Sequence, residues 1–182
     1  LDKYNIYSIL AQAAINMQQF DNAISYLKKS LEVGFKPEKI YRNKFLLSQL
    51  YERKKIKDTA FTEYSEIIDF NRKIPREFYI QSFLKKSNVA DSLSLSVSEL
   101  SDLIKDFENN KFLDIINFQL AKLYLNEYKL KKQKEFELKS IGFFNKSLEQ
   151  NSSDNYLVSR NYLNLAEINF NKKNYFEAGL YY

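Results

Sequence analysis

The chain has 182 residues, a formal net charge of +5, and neither cysteine nor histidine. This removes the usual ligands of zinc, haem and iron–sulfur clusters and the bases of histidine-dependent triads, so no metal or cofactor is expected. With 3 Gly and 2 Pro it lacks the turn punctuation of an all-β fold, no apolar run nears the ~20 residues of a membrane span, and the mild charge gives no reason to expect nucleic acid.

Apolar residues recur at steps of three and four almost throughout, which predicts an all-α chain. The first helix pair, near residues 4–35, carries Tyr7, Leu10 and Ala11, then Phe20, Ala23 and Leu27. The second, near 39–72, repeats this as Leu47, Ser48 and Tyr51, then Ala60 and Tyr64. Both pairs set their small residues 12 apart (Ala11 to Ala23, Ser48 to Ala60). Pro37 and Pro75 follow the second helices, where a proline ends a helix without costing an internal hydrogen bond.

The third pair, near 76–110, is degenerate. Phe78, Phe83 and Leu84 suggest its first helix; Leu100, Leu103, Ile104 and Phe107 suggest its second. Between them Ser94-Leu95-Ser96-Val97-Ser98 alternates with a period of two. That is either a short strand or, as preferred here, a loop leading to a capped helix start at Ser98-Glu99-Leu100-Ser101-Asp102.

The fourth pair, near 112–150, has Leu120, Ala121 and Tyr124, then Ser140-Ile141-Gly142-Phe143-Phe144-Asn145-Lys146-Ser147-Leu148, which reads like Ala23 to Leu31. Its small residues, Ala121 and Ser140, stand 19 apart, so a lengthened turn is expected around Tyr128 to Glu135. The fifth pair, near 158–182, returns to the first pattern with Tyr162, Leu165 and Ala166, then Tyr175, Ala178 and Tyr182. The chain starts at Leu1 without Met and stops inside an apolar-periodic run, so a piece of a longer protein is expected.

The spacing has a physical reason. A small residue on each helix of an antiparallel pair lets the backbones approach where they cross. Ala11 with Ala23, Ser48 with Ala60, Ala121 with Ser140, and Ala166 with Ala178 are the expected packing contacts. The large residue four further on (Leu27, Tyr64, Phe144, Tyr182) should fill the gap toward the next pair.

These copies resemble the tetratricopeptide-repeat (TPR) family, with its W-x₂-L-G-x₂-Y … A-x₃-F … P signature. Here Tyr stands for the Trp and Ala or Ser for the Gly. The resemblance implies one TPR-like α-solenoid over 1–182, of about five repeats with the last truncated, serving as a protein-binding scaffold. In that family the first helix of each pair lines the groove, which implies Asn5, Ser8, Gln12 and Ile15; Arg42, Phe45, Gln49 and Glu52; Ile115, Phe118, Lys122 and Leu125; and Arg160, Leu163, Glu167 and Phe170. Of these, Gln12, Arg42, Phe45, Gln49, Phe118, Lys122, Arg160, Leu163 and Phe170 are the candidate partner contacts. The alternative is that Phe45, Phe118 and Phe170 pack against neighbouring helices. Ser8 and Gln12 stand where the chaperone-binding subfamily places Lys and Asn, so its carboxylate clamp is not expected.

Basic runs at Arg53-Lys54-Lys55-Lys57 and Lys129-Lys131-Lys132-Lys134 fall at expected turns. They suit an anionic partner or a lipid headgroup contact or, more simply, solvated helix ends. Catalysis is not expected: carboxylate pairs such as Asp102 with Asp106, or Glu135 with Glu137, carry no sign of burial, and Gly34, Gly142 and Gly179 form no phosphate loop.

Residues Tyr156–Tyr182, with Asn145-Lys146-Ser147-Leu148, are also similar to the TPR lipoprotein of the type 9 secretion and gliding-motility apparatus (PorW/SprE-like). That resemblance implies a periplasmic scaffold associated with the outer membrane, linking the translocon to other secretion-complex subunits, with a lipid anchor outside this chain. The alternative is the sensor or regulatory array of a cytoplasmic signalling protein.

Overall fold

The chain's first helix opens on Asp2, whose side chain accepts the Tyr4 backbone N–H at 3.3 Å and satisfies one free donor of the helix start. The computed structural model describes residues 2–34 and 36–182; residue 35, the end of the first expected repeat, lies outside them. Among the described residues there is no strand, and ten α-helices follow one another. They are α1 (Lys3–Asn16), α2 (Phe20–Val33), α3 (Pro37–Arg53), α4 (Lys57–Asp69), α5 (Arg76–Val89), α6 (Leu93–Lys105), α7 (Leu113–Lys131), α8 (Lys134–Leu148), α9 (Asn155–Asn171) and α10 (Tyr175–Tyr181). Two compact units divide the chain, Leu1–Ser92 with α1 to α5 and Leu93–Tyr182 with α6 to α10. The division falls inside the degenerate third repeat.

In the first unit, α1–α2 and α3–α4 are antiparallel hairpins closed by the same turn. The Gln19 N–H donates to the Ala14 carbonyl at 2.8 Å, and the Ile56 N–H to the Tyr51 carbonyl at 2.9 Å. The middle residues Gln18 and Lys55 are left-handed, at φ 58° and 61°. This is the Schellman turn built without glycine. The turn between α9 and α10 in the second unit repeats it, with the Asn174 N–H on the Asn169 carbonyl at 3.0 Å and Lys173 at φ 63°. A turn of fixed length explains the constant spacing of small residues. The first always stands five residues before its helix ends, the second three after the next helix begins.

Ala11, Ala23, Ser48 and Ala60 are fully buried, as are Leu27 and Tyr64, which join them in the first unit's core. Lys44 of α3 is buried beside them and pairs with Glu63 at 2.7 Å and Glu66 at 2.6 Å, tying α3 to α4. Gly34, with an ordinary φ of −113°, is required by packing: the Tyr4 ring comes within 2.7 Å of where a Cβ would stand. In the second unit Ala121, Ser140, Phe144 and Ala166 are fully buried, and Ala178 nearly so. Tyr182, expected to face a following pair, stands 74 % exposed.

Three expectations are corrected. The excess in the fourth pair is not a lengthened turn. Relative to the other hairpins, α7 runs five residues further past its small residue, α8 starts three earlier, and the turn shrinks by one to Lys132–Gln133. Seven residues are close to two helical turns of 3.6, so the small faces keep phase, and the Ser140 hydroxyl donates to the Ala121 carbonyl at 2.9 Å. Second, α6 begins at Leu93, so the Ser94–Ser98 stretch is neither strand nor loop and Ser98 is no cap. Ser96, Leu100 and Leu103 are the buried residues of its one apolar face. Third, α6 ends at Lys105, leaving Phe107 in a 3-10 segment (Phe107–Phe112) and 78 % exposed. The prolines do follow α2 and α4, but each also starts a helix, Pro37 at the first turn of α3 and Pro75 as the cap of α5.

Candidate partner-binding faces

The first helix of each pair presents its expected groove positions unequally. On α1, Asn5 and Gln12 are exposed, and the Gln12 amide donates to Asn16 at 3.1 Å. Ser8 is half-buried because it is structural: it donates to the Tyr4 carbonyl at 2.7 Å and accepts from Asn43 at 2.6 Å. On α3, Arg42 is exposed and Gln49 half-buried, while Phe45 is only 8 % exposed. Its ring stands edge-on to Tyr64 at 5.8 Å and Phe78 at 5.4 Å, so Phe45 holds the core and offers no surface to a partner. Glu52 is likewise engaged, accepting from the Tyr64 hydroxyl at 2.9 Å and lying 3.5 Å from Lys85.

In the second unit, Phe118 is half-buried and packs on Phe144 at 5.8 Å against the core cluster, and Lys122 is half-buried. The candidates on α9 stand apart. Tyr156, Arg160, Leu163, Glu167 and Phe170 recur at steps of four and three, so they form one stripe along the helix. Tyr156, Leu163 and Phe170 are 69 %, 41 % and 54 % exposed. The Arg160 guanidinium donates to the Tyr156 hydroxyl at 2.8 Å, which arranges an aromatic and a cation side by side in solvent. Phe170 is braced edge-on by Tyr175 at 5.4 Å.

A recurring polar link was missed. Asn43 of α3 donates to Ser30 of α2 at 2.9 Å, and Asn161 of α9 donates to Ser147 of α8 at 3.0 Å; all four side chains are buried. Each joins one hairpin to the next and uses up buried donors. The signal was present, since Ser30 and Ser147 occupy matching places in the two copies Lys28–Glu32 and Asn145–Glu149. Of the carboxylates expected to be exposed, Glu137 is buried, with 4 % of its surface exposed.

Burial raises the Tyr64 hydroxyl above its ordinary value, and the neighbouring Glu52 carboxylate raises it further. Burial pulls Lys44 down, but its bonds to Glu63 and Glu66 outweigh that and hold it above the usual lysine value. Both groups therefore keep their protons longer folded than unfolded. Their contribution is whole below the unfolded values, roughly pH 10, and is lost as pH rises through the folded ones. Between pH 9 and 11.5 the protein should lose stability as pH rises, by up to about 1.4 kcal/mol per pH unit from Tyr64. In Tyr64→Phe the urea midpoint should fall more gently over that range. A slope identical to wild type would show that the Tyr64 hydroxyl does not titrate late.

The fold is similar to that of MamA 41-end from Desulfovibrio magneticus RS-1, at 14 % identity and a TM-score of 0.66, over 100 % of this chain and 92 % of that one. A second crystal structure of MamA protein aligns at 17 % identity and a TM-score of 0.65, over 99 % of this chain and 88 % of that one. At such identities the likeness shows the fold alone, a TPR-type helical repeat. No protein-family model matches the sequence. No curated protein matches it.

Proposed function

We propose that this chain is a protein-interaction scaffold whose partner lies along the exposed first-helix stripe of α9. The observation that carries this reading is Tyr156, Arg160, Leu163 and Phe170 aligned on one helix face. Tyrosine and arginine dominate binding energy at protein interfaces because they combine large area with directed hydrogen bonds. Arg42 and Gln49 of α3 belong to the same class of surface in the first unit.

The finer reading is an envelope scaffold of a type 9 secretion apparatus, located in the periplasm at the outer membrane. It is supported by the resemblance of Tyr156–Tyr182 to that family. No helix among the described residues is long and apolar enough to cross a membrane.

Affinity purification with the chain as bait, wild type against Arg160→Ala with Leu163→Ala, tests both levels. Both positions are partly or largely open to solvent, so the double variant should melt within a few degrees of wild type while losing at least tenfold of the recovered partner. Unchanged recovery by a folded variant sinks the α9 stripe. Recovery of cytoplasmic signalling proteins alone sinks the secretion reading.

A further inference from the structure

Between the last turns of α7, the start of α8 and the end of α9 the second unit holds a cavity of about 400 Å³. Leu125 and Tyr128 of α7, Ile168 of α9 and Glu137 of α8 line it, with Lys129 and Lys172 also in its wall. Glu137 is unusual among them. Its side chain is 5 % exposed, and its Oε2 lies 3.5 Å from the Lys172 ammonium, beyond the 2.7–2.9 Å of a strong charge-assisted bond. Its Oε1 is buried with no hydrogen-bond partner. Buried carboxylates are normally paired and hydrogen-bonded.

We infer that this cavity receives an arginine side chain of a partner protein, its guanidinium seated on the Glu137 carboxylate. A guanidinium is planar and carries donors in a fork, so it can engage Oε2 from the cavity and, once the carboxylate turns to bring the buried Oε1 to the opening, serve both oxygens where a single ammonium serves one. Leu125 and Ile168 suit the aliphatic stem, and the Tyr128 ring suits the flat cationic head. The volume exceeds that of one long side chain and lies within the usual range of ligand cavities, so there is room for parts of the residues beside the arginine. Lys129 and Lys132 also border the cavity. They are exposed and screened by solvent, unlike Glu137, and they select for acidic residues beside the arginine. The partner segment is thus an arginine flanked by aspartate or glutamate. This inference rests on the scaffold reading and gives the chemistry of one contact within it.

The test is an NMR titration of the whole 182-residue chain with the capped peptide acetyl-Asp-Arg-Glu-amide. Its controls are the same peptide with citrulline for arginine, and inorganic phosphate alone. Saturable shifts are expected at the amides of Leu125, Ile168 and Asn171, at least tenfold weaker for the citrulline peptide and for Glu137→Gln, and about threefold weaker for Lys129→Ala with Lys132→Ala. Should Glu137→Gln fail to fold, the arginine-to-citrulline ratio on wild type decides alone. Equal binding of the two peptides overturns the inference. So does the absence of any shift, or a response to phosphate that Glu137→Gln leaves intact, which would make the lysines an anion site. If the peptide fails while Arg160→Ala with Leu163→Ala still loses its partners, the cavity assignment falls and the scaffold reading stands. If the peptide binds and that variant loses nothing, the α9 stripe falls and the cavity stands.

Discussion

Phe144→Ala should destabilise the second unit by about 3–5 kcal/mol. The ring is fully buried and sits in one cluster with Ala121 and Leu125 of α7 and Leu165 and Ile168 of α9. Its removal takes apolar area out of the core and leaves a void bounded by three helices. Those helices cannot all move in, because the Ser140 hydroxyl on the Ala121 carbonyl and the Asn161 amide on Ser147 hold α8 to both neighbours. The cavity therefore persists, which places the cost toward the upper end of that range. Urea denaturation followed by circular dichroism measures it. A loss below about 1 kcal/mol would mean that α8 is not wedged between α7 and α9.

Ala23→Leu should cost about 1–3 kcal/mol by the opposite route, overpacking. Ala23 and Ala11 are both fully buried where α1 and α2 cross, and the hairpin is short and closed by a tight turn. Three extra carbons there have to push the helices apart or strain a rotamer. Either movement disturbs Leu27, one turn further along α2 and also fully buried. Ser25→Leu supplies the control, since Ser25 is exposed on the same helix and should change stability by less than roughly 0.5 kcal/mol. Equal urea midpoints for the two variants would refute close backbone packing at the crossing.

The α9 stripe and the Glu137 cavity adjoin. Glu167 belongs to both, as a member of the stripe and of the cavity wall. A partner segment lying along α9 would bring its side chains past the cavity mouth. Most of the α9 stripe was legible in the sequence, because the spacing puts Arg160, Leu163, Glu167 and Phe170 on one helix face; only Tyr156 was not among the expected residues. Which aromatics are free was not legible. Phe45 and Phe170 are both expected groove residues, yet one lies between Tyr64 and Phe78 and the other faces solvent. Neighbouring helices decide that, and they are remote in sequence.

Sequence by itself determined the hairpins α1–α2, α3–α4 and α9–α10 and their crossing points. Small residues 12 apart are the imprint of one Schellman turn, whose local hydrogen bonds leave no freedom in length. It did not determine where seven additional residues go. The run from Tyr128 to Glu135 is made largely of lysine, glutamine and glutamate, which serve a helix and a polar turn equally well. Packing chose helix, because two added turns return Ser140 to Ala121 whereas a loop would not have required seven. Serine in α6 misled for a related reason: its local bonds favour loops, and only burial of Ser96 beside Leu100 and Leu103 made helix the better state. The burial of Glu137 was wholly a tertiary outcome. Nothing local distinguishes it from Glu135 two residues earlier. The extension of α7 and the end of α9 together enclose it.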